Sequence, residues 1–186
     1  MFSPKAALRQ EVLATRRASV TASGQGLLAV AREQAEVVAA RRIALYVSMS
    51  PEPQTGPLID WLLASGREVL LPVLYADNDL GWGLAPGAAD LVPGRLGLSE
   101  PPVDLGADAI TSAELVICPA LAVDLSGVRL GRGGGSYDRA LARVSPGTPV
   151  WAVVHEREIL DSLPADPHDC LVHAALTPTR LVRLGL

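Results

Sequence analysis

The sequence predicts a three-layer α/β sandwich, a mostly parallel central sheet with helices on both faces. Three observations carry that expectation. Apolar runs of strand length alternate with helical stretches along the chain. The runs at 42–47 and 68–73 bracket a short helix, which makes a βαβ unit and hence a parallel strand pair. The chain has 186 residues, 49% hydrophobic and 19% charged, which fits one domain, residues 1–186. A chain of this size buries roughly 70% of its unfolded surface without a disulfide or metal staple. The same composition excludes a disordered chain, which is poor in apolar residues and rich in charge.

Residues 4–40 read as helix. Pro4 suits the first turn with Ser3 as its cap, and Leu8, Val12, Leu13 and Arg16 keep a 3.6-residue period. The Ser-Gly-Gln-Gly segment at 23–26 is expected to break this stretch, with a second helix over 27–40. A buried strand follows at 42–47, then a proline-rich loop, a helix at 58–64 ended by Gly66, and a strand at 68–73. Residues 77–106, rich in Gly, Pro and Asp, read as short strands and turns. Further strands are expected at 115–119, 149–154 and 171–176, a loop at 120–137 and a helix from 138 to 144. In such sheets ligands collect beyond the carboxyl ends of the strands, so the loops after Val47 and Pro119 are where a site belongs.

Charge and cysteine content narrow the class. Net charge is −4, the pI is near 5.3 and aromatics are only 4%. This is the wrong balance for a phosphate-backbone binder or a base-stacking surface, so no nucleic-acid partner is expected. The first 42 residues nevertheless carry a net charge of +4, and Lys5 is the one lysine beside fifteen arginines. Cys118 and Cys170 form no metal spacing or disulfide framework, which fits a reducing, cytoplasmic setting. No apolar run reaches the ~18 residues of a membrane span, and no secretory signal is visible.

The richest local signal is Arg129-Leu130-Gly131-Arg132-Gly133-Gly134-Gly135-Ser136-Tyr137-Asp138-Arg139. Glycines let backbone N–H groups approach a ligand closely, and a helix beginning after the loop adds partial positive charge. Three arginines supply formal charge. This is a polyphosphate cradle by composition. It is neither a P-loop, since no Gly is followed by Lys, nor a dinucleotide fingerprint, since Ser136 stands where the third Gly belongs.

That loop, preceded by Cys118-Pro119-Ala120-Leu121-Ala122-Val123-Asp124, resembles the 5-formyltetrahydrofolate cyclo-ligase (5,10-methenyltetrahydrofolate synthetase) family. Lys5-Ala6-Ala7-Leu8-Arg9, Glu52-Pro53-Gln54-Thr55, Gly97-Leu98-Ser99-Glu100-Pro101 and the pair His168-Asp169 match further family elements in order, so the resemblance runs from about residue 5 to 182. Ser136 replaces the first of two tyrosines often found there. His173 stands where some members carry a magnesium-binding aspartate, and imidazole is a poorer ligand for a hard cation.

The resemblance implies a fold similar to the phosphosugar isomerase and CoA transferase-like proteins. It implies an ATP- and Mg²⁺-dependent ligase that closes 5-formyltetrahydrofolate to the 5,10-methenyl form, acting as a monomer on small molecules. It assigns ATP to Lys5, Ala6, Ala7, Leu8 and Arg9, and to Arg129, Leu130, Gly131, Arg132, Gly133, Gly134, Gly135, Ser136 and Tyr137. Val47, Glu52 and Tyr137 are expected at the folate, Asp138 at the metal, and Arg129, Arg132 and Tyr137 at the transferring phosphoryl group. A diverged, non-catalytic binding or regulatory relative is the alternative.

Overall fold

The computed structural model describes residues 4–17, 24–87, 90–166 and 169–185. Ser3, Ser23 and His168 lie outside the described residues. Helices α1 (Pro4–Arg17), α2 (Gly24–Ala31) and α3 (Ala35–Ala39) precede strand β1 (Arg42–Ala44). Helix α4 (Gly56–Ala64) leads to β2 (Glu68–Leu74) and β3 (Leu80–Leu84), followed by a small hairpin of β4 (Val92–Pro93) and β5 (Ser99–Glu100). A 3₁₀ segment at Ala107–Ser112 runs into β6 (Leu115–Pro119). Then come β7 (Ala122–Asp124), β8 (Arg129–Leu130), α5 (Ser136–Leu141), β9 (Val150–Val153), β10 (Ile159–Leu160), β11 (Ala174–Leu176) and β12 (Leu181–Arg183).

The main sheet has seven strands in the order β12-β11-β9-β6-β1-β2-β3. Its inner pairs are parallel and its two outer pairs, β11–β12 and β2–β3, are antiparallel. Both faces are buried, which explains why the strands read as continuous apolar runs rather than alternating ones. Ile43, Leu115, Ile117, Trp151 and Val153 face a core shared with α2, α3 and α4. Ala44, Val116, Cys118 and Ala152 face the opposite core, where Ile110, Ala140 and Leu141 pack. The expected α/β architecture with a mostly parallel sheet is therefore present.

Several boundaries differ from the sequence reading. The second helix starts at Gly24 rather than 27 and is split by a turn at 32–34, with Gln34 extended (φ −86°, ψ 133°). Its glycines serve close approach rather than helix breaking. A Cβ on Gly24 would lie 2.6 Å from the Gln54 carbonyl oxygen, and one on Gly26 would lie 2.4 Å from that of Pro178. Strand β1 ends at Ala44, although the Leu45 N–H still donates to the Leu70 carbonyl at 2.9 Å. The helix expected at 138–144 occupies Ser136–Leu141.

The segment 120–137, read as a loop, contains β7 and β8, an antiparallel pair extended by β10 into a second, three-stranded sheet. Asp124 makes that turn. Its Oδ1 accepts the N–H of Ser126 (2.9 Å) and of Val128 (3.0 Å), and its Oδ2 that of Leu163 (2.8 Å). Helix α1 packs on this small sheet through Val12 and Leu8 against Leu121, Val128 and Leu130.

Candidate active site

Strands β1 and β6 are parallel neighbours, so both carboxyl ends open on one side of the sheet. A pocket of about 480 Å³ lies there, bounded by the ends of both strands, α1, the glycine loop and the β4–β5 hairpin. The two loops that the sequence singled out thus meet in one cavity.

Lys5 and Arg9 reach it from α1. One helical turn separates them, so they share a face. The Lys5 ammonium donates to Asp166 Oδ2 at 2.7 Å and to Asp169 Oδ2 at 2.6 Å. These two carboxylates outweigh burial and hold its pKa above the ordinary value. Arg9 Nε donates to the Gly131 carbonyl at 2.8 Å, fixing the start of the glycine loop. Ala6, Ala7 and Leu8, expected beside them, are not part of the pocket wall, and Leu8 packs against the small core under α1. The helical period explains this: positions 5 and 9 face the pocket and the three between them turn away.

The loop itself, Gly131 to Gly135, lines the cavity. Gly133 has φ +99° and Gly135 φ +70°, conformations that L side chains rarely adopt. Gly135 is the N-cap residue of α5, and Ser136 opens the helix. Asp138 lies in the first turn and is not the cap.

The three arginines of the motif do different things. Arg132 is about half exposed and its Nη2 donates to Glu52 Oε1 at 2.8 Å, joining the glycine loop to the loop after β1. Glu52 is buried, and its Oε2 accepts the Met49 N–H at 3.0 Å. Arg129 is buried behind the loop. Its Nη2 donates to Asp138 Oδ1 at 2.5 Å, its Nη1 to the Pro119 carbonyl at 3.3 Å, and its guanidinium sits 5.8 Å from the Tyr137 ring centroid. Arg129 thus organises the pocket floor rather than projecting freely into it. Arg139 turns outward and donates to the Asn78 carbonyl at 2.6 Å.

Tyr137 stands edge-on to Trp82, ring centroids 6.4 Å apart. Burial raises its phenol pKa well above 10, so it is a neutral donor. Cys118 is buried, and that burial pushes its thiol up to about 11. His155 and Glu156, neighbours in sequence after β9, make separate contacts. His155 Nε2 lies 3.3 Å from the Pro51 carbonyl, whereas Glu156 accepts from Thr177, Thr179 and Arg180. His173 accepts the Val150 N–H at 3.0 Å through Nδ1 and lies outside the pocket, so it is no metal ligand there.

The Gly97–Pro101 motif proves to be a staple. Glu100 is buried and its Oε1 accepts the Leu74 N–H at 3.0 Å, which pins the β4–β5 hairpin to β2. A Cβ on Gly94 would lie 2.1 Å from the Glu100 carboxyl carbon. The hairpin presents Leu96 and Leu98 at the pocket.

The family model for the 5-formyltetrahydrofolate cyclo-ligase family matches residues 2–178. The chain belongs to the 5-formyltetrahydrofolate cyclo-ligase family. It is 45% identical over 152 residues to the 5-formyltetrahydrofolate cyclo-ligase of Mycolicibacterium smegmatis, covering 77% of this chain and 76% of that one. It is 34% identical over 150 residues to the Escherichia coli cyclo-ligase, covering 78% and 82%. The fold is similar to the NMR structure of Aquifex aeolicus 5,10-methenyltetrahydrofolate synthetase, with a TM-score of 0.84, 26% identity, and 98% and 93% of the two chains covered. A 5,10-methenyltetrahydrofolate synthetase from Mycoplasma pneumoniae shares the fold with a TM-score of 0.72 over 94% of this chain and 98% of that one, at 20% identity.

The family resemblance implies Mg²⁺ at Asp138, and the pocket lining tests that expectation. Among the described residues no three His, Cys, Asp or Glu side chains cluster to form a protein cage. Asp138 borders the pocket, spends Oδ1 on Arg129, and takes no hydrogen bond on Oδ2 among the described residues. One carboxylate beside a phosphate cradle fits Mg²⁺, which keeps several waters and takes substrate phosphates as ligands.

Proposed function

We propose that this chain catalyses the ATP-dependent conversion of 5-formyltetrahydrofolate to 5,10-methenyltetrahydrofolate, with release of ADP and phosphate. The observation that carries the reading is one cavity bordered by both a phosphate-type glycine loop and the acid-bearing loop after β1. The triphosphate lies along Gly131 to Gly135, with Lys5, Arg9 and Arg132 supplying positive charge. The folate sits toward Val47, Glu52 and Tyr137. The formyl oxygen attacks the γ-phosphorus and ADP leaves. N10 then adds to the activated formyl carbon, and loss of the N10 proton and of phosphate completes the ring.

No protein nucleophile is required, so the side chains align the two substrates and neutralise the transferring phosphoryl group. Arg132 reaches that group from the exposed rim, while Arg129 holds Asp138 and Tyr137 in place. Bound at Asp138, Mg²⁺ supplies charge neutralisation to the phosphate oxygens. We read the whole chain as a single domain with the phosphosugar isomerase and CoA transferase-like fold, acting as a cytoplasmic monomer on small molecules. No described helix is long and apolar enough to cross a membrane.

The test is absorbance at the methenyl-folate band. It should rise only when ATP, Mg²⁺ and 5-formyltetrahydrofolate are all present. A rise without ATP, or none with all three, refutes the reading.

A further inference from the structure

Two of the proposed substrate contacts are spent on each other in the empty protein. Arg132 is to supply charge to the nucleotide and Glu52 is to meet the folate, yet Arg132 Nη2 donates to Glu52 Oε1 at 2.8 Å. Both residues border the pocket. The pair spans 80 residues of sequence and ties the nucleotide wall of the cavity to the folate wall. The other two pocket cations of the reading are held differently, Lys5 by Asp166 and Asp169 and Arg9 by the Gly131 carbonyl. Arg132 is the cation whose partner is itself a substrate contact.

The two ends of the pair are not equally free. The Glu52 side chain is 8% exposed and that of Arg132 is 54% exposed. Glu52 is anchored in its loop: its Oε2 accepts the Met49 N–H at 3.0 Å, and its own N–H donates to the Met49 carbonyl at 2.8 Å. Arg132 stands on a run of glycines at the rim, so it is the end that can leave. A buried carboxylate that loses a charged partner is costly unless another donor replaces it.

We propose that Glu52 is a positioning residue for Arg132: it withholds the guanidinium from the nucleotide until N–H donors of the reduced folate replace it on the carboxylate. The inference rests on the cyclo-ligase reading. The exchange keeps Glu52 paired throughout and releases a cation at the moment the phosphoryl acceptor is seated. Nucleotide alone must instead draw Arg132 away and leave Oε1 of a buried carboxylate without its donor. The two substrates therefore bind with positive coupling, and the coupling is the same whichever binds first.

Calorimetry with 5-formyltetrahydrofolate and an ATP analogue carrying an imido β,γ-bridge measures the coupling without turnover. In the wild type each should bind about 5- to 10-fold tighter when the other is saturating, at the low end of typical couplings because water screens the half-exposed Arg132. Glu52→Gln removes the charge at constant size and sets Arg132 free. It should bind the analogue alone about 3- to 10-fold tighter than the wild type, a gain that a merely structural role for Glu52 does not produce. The gain should vanish in Glu52→Gln/Arg132→Gln, which separates release of Arg132 from simple loss of a negative charge. Arg132→Gln alone should abolish the coupling, and it decides the matter if Glu52→Gln does not fold. Wild-type substrates that bind independently overturn the proposal. So does analogue affinity that is unchanged or lowered in folded Glu52→Gln, a gain that survives in the double variant, or coupling that persists in Arg132→Gln. Wild-type protein that neither binds nor cyclises the folate would instead overturn the cyclo-ligase reading itself.

Discussion

Asp138→Asn tests the metal position and the pocket floor together. By sequence alone this change is cheap, because Asn caps helices nearly as well as Asp. The structure says otherwise. Asp138 is not the cap of α5, and its partner Arg129 has a side chain only 3% exposed, whereas that of Asp138 is 27% exposed. Without the carboxylate, Arg129 keeps one long bond to the Pro119 carbonyl and the face of Tyr137. Breaking a fully buried ion pair costs about 3–5 kcal/mol. Water reaches the Asp138 side, and the Asn amide oxygen still accepts from the guanidinium, which leaves about 1–2 kcal/mol. At about 2–4 °C per kcal/mol for a chain of this length, the melting temperature should fall by about 2–8 °C.

The catalytic readout is separate. The Mg²⁺ midpoint of the ATP-dependent rate should rise and kcat should drop strongly, because the carboxylate charge is gone. A cycle with Arg129→Gln measures the pair directly, and a coupling of at least ~1 kcal/mol is expected. A melting temperature within ~1 °C of wild type, with no coupling, refutes the buried-pair account. An unchanged Mg²⁺ midpoint places the metal elsewhere.

Three further outcomes follow from the geometry. Gly133→Ala puts a side chain at φ +99° and 3.4 Å from the Arg9 guanidinium carbon, so ATP affinity by calorimetry should fall at least ~10-fold, and the backbone strain of about 1–2 kcal/mol should lower the melting temperature by about 2–8 °C. Arg16→Met strands Glu158, whose Oε1 and Oε2 both accept from Arg16 at 2.7 Å, and should cost about 3–5 kcal/mol in a urea melt, with much of that recovered in Arg16→Met/Glu158→Leu. Arg143, and more weakly Arg139, hold the Asp79 carboxyl below its usual value of 3.8. A lowered folded-state pKa gives stability that is present above the unfolded value and is lost as pH falls through the folded one. Asp79→Asn should therefore lose stability at pH 6 yet show a shallower fall in melting temperature between pH 4 and pH 2.

The parallel strands were legible because burial on both faces writes itself as unbroken apolar runs, and 115–119 was placed to the residue. The second sheet was not, because β8 and β10 are two residues each and their pairing partners lie on other segments. Two residues carry no period. The glycines of α2 misled for a related reason: a break and a close approach have the same composition, and only the carbonyls of Gln54 and Pro178 decide between them. At the site, a helical spacing of four brought Lys5 and Arg9 to the pocket, as expected. Asp166 and Asp169 approach through tertiary contacts more than 160 residues from Lys5 in sequence, beyond any local pattern.

The motif arginines show where composition stops being informative. Arg129, Arg132 and Arg139 look equivalent in a sequence that predicts a phosphate cradle from their crowding. Their environments separate them completely. Arg129 lies in β8, whose two residues are both buried, so its guanidinium must find a carboxylate or a ring, and it finds both. Arg132 sits among glycines with no packing constraint, so it stays at the rim and spans to Glu52. Arg139 falls one residue past Asp138 on α5, on the outer side of the helix, and ties the helix to the turn between β2 and β3. Removing charge at the three positions should therefore give three different phenotypes. Loss at 129 lowers stability along with activity. Loss at 132 lowers activity with little change in stability. Loss at 139 changes neither strongly. A series in which all three variants lose ATP affinity equally, with equal stability, would show that the loop rearranges so that every one of them reaches the phosphates.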